Sequence, residues 1–220
     1  MIRIYRTAPD VTTLGPGQRF CIWVQGCKRG CPGCMSRNTW PTDGGTLLTE
    51  ESLLERLRPF SFEGVTISGG EPMLQCAGLT RFLHLLKAER DAGVIVYTGM
   101  TMEQLRDRRD VATEAFLQQI DLLIDGNYRQ EQDDGVALRG SANQRAWYLT
   151  ERYRSTVEPV FGKTNLRRQQ IQIPFLPAKI SRYRHKYSAP LIDFVQAQCS
   201  IPGIEKPSEQ DACNGKFSEV

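Results

Sequence analysis

Val65-Thr66-Ile67-Ser68-Gly69-Gly70-Glu71-Pro72 is the stretch on which the fold turns. Its β-branched run reads as a short buried strand that stops at a Gly-Gly turn. Downstream, Leu79, Phe82, Leu83, Leu85 and Leu86 recur at helical spacing from about Gly78 to Glu89, until Ala92-Gly93 breaks the pattern. Val94–Thr98 is the next strand, and Thr101 with Gln104 is placed as a capping box for a following helix. Ile120–Ile124 is a further strand, closed by Asp125-Gly126. Upstream, Phe20, Ile22 and Val24 alternate with Cys21 and Trp23 ahead of Gly26, as in a mostly buried strand. Thr49 is placed to cap a helix from about Glu50 to Arg58, ended by Pro59. Strand and helix alternating at this spacing predict βα units, hence an α/β fold with a largely parallel sheet. Ligands of such sheets bind at the C-terminal ends of the strands, and each motif below follows a strand.

The chain has 220 residues, 40% hydrophobic and 24% charged, which excludes a disordered tail and leaves room for one domain and an appendage. No stretch approaches the ~18 apolar residues of a membrane helix. Met1–Arg6 lacks the apolar run of a signal peptide, so a cytoplasmic location is expected. A net charge of +3 does not by itself call for a nucleic-acid partner. Seven cysteines are the informative count, because Cys21, Cys27, Cys31 and Cys34 crowd into one short stretch. In a reducing compartment such crowding points to metal rather than disulfides.

The spacing is Cys27-x3-Cys31-x2-Cys34. Three thiolates on one short loop can hold three corners of a cubane and leave the fourth iron open to a small molecule; a four-cysteine cluster is closed. A zinc site with Cys21 as fourth ligand is the competing reading. Structural zinc prefers two separated Cys pairs, however, and Cys21 lies on a strand. Plain buried cysteine suits Cys21 and Cys76. In the Gly69-Gly70 turn the backbone can approach a ligand with no Cβ in the way, and Glu71 brings an acceptor for an ammonium group. The bland reading is a tight strand-to-helix turn. No Gly-Lys-Ser/Thr follows, so it is not a phosphate loop.

Taken together, these residues resemble the radical S-adenosylmethionine (radical SAM) superfamily. The segments that carry the resemblance are Gly15-Pro16-Gly17, Trp23–Cys27, Cys31-Pro32-Gly33-Cys34, Thr39-Trp40, Ile67–Pro72, Tyr97-Thr98-Gly99, Asp125-Gly126 and Leu138–Arg145. More narrowly, the chain resembles the activases that install a glycyl radical in a partner enzyme, above all those of anaerobic ribonucleotide reductase. The resemblance implies a partial, open β/α barrel. It implies a [4Fe–4S] cluster on Cys27, Cys31 and Cys34, with S-adenosyl-L-methionine on the open iron. Gly69, Gly70 and Glu71 would receive the methionine amino group, and Gly33 and Met35 would lie near the adenine. Thr98, Asp125, Asn143 and Arg145 would serve the ribose and carboxylate side. A flavodoxin-like donor would supply the electron, and the resulting 5′-deoxyadenosyl radical would abstract hydrogen from a glycine of the partner. Where relatives carry an aromatic or His and then Asn after the third cysteine, this chain has Met35 and Ser36.

The resemblance implies a radical SAM core over residues 1–150 and leaves 151–220 as an extension of unknown role. Between Phe161 and Pro190 the extension carries Lys163, Arg167, Arg168, Lys179, Arg182, Arg184 and Lys186 with no Asp or Glu. This basic run reads as a solvated face or as a dock for an acidic protein or peptide, with nucleic acid third for want of aromatic stacking. A helix is expected around Ser188–Gln198 and a loose tail after Ile201. Cys76, Cys199 and Cys213 read as free thiols, and His84 and His185 as non-catalytic. Two alternatives stay open on sequence: a radical SAM enzyme modifying a peptide or small molecule, and a non-catalytic zinc-binding module.

Overall fold

The computed structural model describes residues 1–162. The expected helix at Ser188–Gln198, the basic run beyond Gly162, His185, Cys199 and Cys213 all lie outside the described residues. Seven strands form one sheet in the order β3-β1-β2-β4-β5-β6-β7. They are β1 (Ile2–Val11), β2 (Arg19–Val24), β3 (Thr46–Leu48), β4 (Gly64–Gly69), β5 (Gly93–Tyr97), β6 (Leu122–Asp125) and β7 (Arg145–Tyr148). The helices are α1 (Glu50–Leu57), α2 (Cys76–Glu89), α3 (Met102–Asp107), α4 (Val111–Leu117) and α5 (Arg154–Val157).

The four central strands, β2-β4-β5-β6, are parallel as expected, while β1, β3 and β7 add antiparallel flanks. The reason for the β1–β2 reversal is chain length. Only residues 12–18 join the two strands, whereas a parallel crossover needs roughly a dozen or more. β3 and β7 are the two edges, so the sheet is open among the described residues.

Two of the predicted helices start at the caps the sequence offers. The Thr49 hydroxyl accepts from Ser52 N–H at the start of α1, and Thr101 with Gln104 makes the full capping box of α3. α2 buries Leu79, Phe82, Leu83 and Leu86 against Phe20, Ile22, Val24, Val65 and Ile67, the alternate residues of the central strands. Truncating a side chain such as Phe82, which is fully buried, to Ala would cost about 3–5 kcal/mol. On the sheet's other face Ile95, Leu122 and Ile124 meet Leu138, Tyr153 and Val157. Arg19, at the N-terminal end of β2, is completely buried on that side. It donates to Thr66 Oγ1 and Gly93 O, each at 3.1 Å, and to the Tyr153 hydroxyl, so α5 is tied to the bottom of the sheet. All the loops that follow the parallel strands therefore sit at the opposite end.

Candidate cluster and cofactor site

At that end lies a cavity of about 280 Å³. The loop after β2 brings Cys27, Cys31 and Cys34 to it, with Met35 and Trp40. The turn after β4 brings Gly69, Gly70 and Glu71, and the turn after β5 brings Thr98 and Gly99. The loop after β6 supplies Gly126 and Tyr128, then Leu138, Arg139, Gly140 and Gln144. The cysteine loop is held in place by backbone bonds. Gly26 N–H donates to Thr39 O at 2.8 Å and Cys27 N–H to Trp40 O at 3.0 Å. The β4 turn locks against it, since Gly70 N–H donates to Val24 O at 2.8 Å and Glu71 N–H to Gly26 O at 2.9 Å. The approach explains the glycine: a Cβ on Gly70 would come 2.3 Å from Gly26 O.

All three loop thiols are free and partly exposed. Ser36 N–H points at Cys34 Sγ across 3.4 Å. Burial pushes the Cys27 thiol above its ordinary value, and Glu71, Cys31 and Cys34 nearby add to the rise. A bound cation removes that penalty, because a coordinating thiol is deprotonated outright. Cys21 behaves differently. It is 1% exposed on β2, and burial lifts its thiol to about 12. It does not line the cavity that holds the loop thiols, so it does not stand with them as the fourth ligand of a closed zinc site. Among the described residues no three of His, Cys, Asp or Glu converge on one ion. A cubane asks for a different arrangement, in which each protein thiolate goes to its own iron. Three thiols on one loop, opening on one cavity, fit that demand.

Glu71 is 3% exposed, and burial pushes its carboxyl above the usual range. Its two oxygens accept three hydrogen bonds, from Met73 N–H at 3.1 Å, the Thr98 hydroxyl at 2.7 Å and Gly99 N–H at 2.9 Å. A carboxylate offers about four acceptor positions, so one remains for a ligand. The Thr98 hydroxyl is itself committed, donating to Glu71 and accepting from Met100 N–H at 3.0 Å.

The structure does not bring every expected residue to this cavity. Gly33 supports the cysteine loop in the left-handed region (φ 71°) and stands against Gln130, outside the lining. Met35 lines the cavity but is 74% exposed. Asp125, Asn143 and Arg145 line a neighbouring cavity of about 370 Å³, which shares Arg29, Gly99 and Gly126 with the first. There the fully buried Asp125 accepts from Met102 N–H at 2.7 Å and from Arg145 at 2.6 and 3.1 Å. Arg145 also grips Glu103 with both terminal nitrogens and holds its carboxyl down at about 2. Asn143 donates to Asn127 O at 2.8 Å and accepts from the Ser141 hydroxyl at 2.8 Å. Sequence reasoning missed Arg29, which sits between the cysteines, bonds Asn127 across the mouth and stands at the wall common to both cavities. Its position between two thiol ligands was the available signal. His84 is exposed on α2, clear of the site.

Comparison with known proteins agrees with this geometry. The family model of the 4Fe-4S single cluster domain matches residues 13–147. A relative from Vibrio cholerae, an anaerobic ribonucleoside-triphosphate reductase-activating protein, is 36% identical over 140 residues, covering 59% of this chain and 87% of that one. The protein of the same name from Enterobacteria phage T4 is 30% identical over 145 residues, covering 62% and 88%. Among solved structures, the crystal structure of QueE from Escherichia coli aligns with a TM-score of 0.40 at 22% identity, over 46% of this chain and 53% of that one.

Proposed function

Because the chain belongs to the 4Fe-4S single cluster domain family, we infer that it is a radical SAM activating enzyme of the anaerobic ribonucleoside-triphosphate reductase kind. It generates a glycyl radical in that reductase. The observation that carries the reading is the meeting of three free thiols from one loop with the Gly69-Gly70-Glu71 turn, in one cavity above the parallel strands. When bound, the [4Fe–4S] cluster and S-adenosylmethionine supply a one-electron cleavage whose 5′-deoxyadenosyl product takes hydrogen from a glycine Cα.

The chain's own residues do the positioning. Cys27, Cys31 and Cys34 would hold three irons and leave the fourth without a protein ligand. The backbone of Gly69 and Gly70, with the one free acceptor position of Glu71, would receive the methionine ammonium. Glu71 also fixes the β5 turn through Thr98 and Gly99. Met35 would border the adenine, its flexible thioether packing on the ring where relatives use an aromatic, and Gly33 would shape the loop that presents it. Asp125 satisfies Arg145 and Met102 N–H, and so braces the wall between the two cavities. Asn143 and Arg145, on the neighbouring cavity, would serve the ribose and carboxylate side. Trp23, Trp40 and Tyr97 line the cavity and limit water around the reacting centre. A flavodoxin-like donor provides the electron. Among the described residues no helix is long and apolar enough to cross a membrane, and a cytoplasmic site of action fits the oxygen-sensitive chemistry.

The test is anaerobic incubation of the reduced, iron-loaded protein with S-adenosylmethionine and an anaerobic ribonucleotide reductase. A glycyl-radical doublet in the reductase's electron paramagnetic resonance spectrum is expected. Its absence, with a radical found on a peptide or small molecule instead, would overturn the assignment of substrate.

A further inference from the structure

Between residues 11 and 42 the chain carries Arg19, Lys28, Arg29 and Arg37 and not one Asp or Glu. Arg19 is buried at the far end of the sheet, and Arg29 is turned inward onto Asn127. Lys28 and Arg37 are exposed, and so is Arg6 of β1, which stands opposite Trp23 in the strand pairing. None of Arg6, Lys28 and Arg37 enters an ion pair among the described residues. The carboxylates nearest in sequence are Asp10, which bonds Gln18, and the exposed Asp43.

Two of these cations are seated on tryptophan. The Arg6 guanidinium lies 4.4 Å from the ring centroid of Trp23, and that of Arg37 lies 5.9 Å from the ring centroid of Trp40. Both tryptophans line the cavity that holds the three thiols. Each ring therefore both lines the site and carries an exposed cation over it. The cation–π contact orders the guanidinium in advance, which lowers the entropy lost when a partner docks. Lys28 stands directly next to Cys27 on the outward side of the loop.

On the reading above, the site needs an electron from outside the chain. We propose that the rim formed by Arg6, Lys28 and Arg37 is the docking surface for an acidic one-electron carrier protein, whose reduced flavin is oxidised by one electron as the site is reduced by one. The inference rests on the activase reading for the need, and on the uncompensated charge and the tryptophan seats for the place. An acidic surface gains most here. None of the three cations is taken up in an ion pair among the described residues, and docking on this rim brings the carrier to the wall of the cavity that contains the thiols.

The experiment uses anaerobically loaded full-length protein and its Arg6→Glu/Arg37→Glu double variant. Reduction is followed by bleaching of the iron–sulfur absorbance. Two reductants are compared: an acidic flavodoxin in its reduced form, and photoreduced 5-deazariboflavin, which is small and uncharged. With flavodoxin the variant should need at least about tenfold more donor for half-maximal rate at low salt, a modest share of the 10–10³ that steering can supply. The gap should narrow as ionic strength rises from about 10 to 150 mM and the screening length falls from about 30 to 8 Å. With deazariboflavin the two proteins should bleach at equal rates. Equal flavodoxin dependence in both proteins would overturn the proposal. So would a variant that binds flavodoxin normally but has lost affinity for the reductase, since the rim would then belong to the other partner. If the double variant bleaches poorly with both reductants, Arg6→Gln and Arg37→Gln decide: each should raise the flavodoxin requirement alone, and no rise overturns the proposal. Protein that carries zinc and never bleaches would sink the activase reading. Calorimetric binding of flavodoxin to the wild type and the reversed variant would still test the surface.

Discussion

Glu71→Gln is the substitution that asks most of this site. The wild-type carboxylate accepts from Met73 N–H and the Thr98 hydroxyl at one oxygen and from Gly99 N–H at the other, at 3.1, 2.7 and 2.9 Å. Glutamine keeps a single acceptor oxygen. If that oxygen serves Met73 and Thr98, the amide NH₂ faces Gly99 N–H, donor against donor, in a place where the wild-type side chain is 3% exposed. A buried donor left unsatisfied costs about 1–3 kcal/mol. For a domain of this size that is a fall in melting temperature of roughly 2–12 °C. Burial raises the Glu71 pKa above its ordinary 4.5, so the carboxyl's stabilising share is complete below 4.5 and is lost as pH rises through the raised value. The deficit of the variant should therefore be largest below pH 4.5 and shrink as pH rises through the carboxyl's raised value. Thr98→Val removes the same clasp from the other side. The double variant should fall short of the sum of the singles by about 0.5 kcal/mol or more. Thermal and denaturant unfolding of the apo protein give all four corners of this cycle. A Glu71→Gln variant as stable as the wild type, or two deficits that simply add, would refute the clasp.

Two further outcomes follow from the charges and thiols. Arg145 holds the Glu103 carboxyl at about 2 against an ordinary 4.5, so that pair's contribution is present above pH 4.5 and disappears as pH falls toward 2; Glu103→Gln should flatten the acid limb of the stability profile in that interval. In the apo protein, iodoacetamide should label Cys31 and Cys34 first and Cys27 later, because burial lifts its thiol. Cys21, held at about 12, and the buried Cys76 should label last, as read by peptide mass spectrometry; early labelling of Cys21 would contradict its place on β2.

The parallel centre of the sheet was legible because its strands are short β-branched or apolar runs, each closed by a turn glycine. The site was legible for the same reason, since its motifs stand directly after those strands. The flanks were not. Ile2 and Ile4 alternate as a strand should, but β1 is specified by pairing with β2 and β3, and that register is set by distant residues. β7 is four residues long and exists through its ladder with β6. α4 is capped by Asp110, whose carboxylate accepts from Thr113 N–H at 2.8 Å, a signal present in the sequence that apolar periodicity over so short a helix does not raise. Within the site, local spacing could join Cys27 to Cys34 but not Arg29 to Asn127, which lie 98 residues apart. For the same reason it could not show that Asp125 and Arg145 satisfy each other beside the main cavity.

The central claim is a cluster bound by three cysteines with one iron left for a ligand, and Mössbauer spectroscopy of ⁵⁷Fe-loaded protein tests it most directly. Addition of S-adenosylmethionine should shift the signal of a single iron and leave the other three unchanged, in the wild type and in Cys21→Ala alike. Four irons that ignore the ligand, or a cluster lost with Cys21, would contradict it.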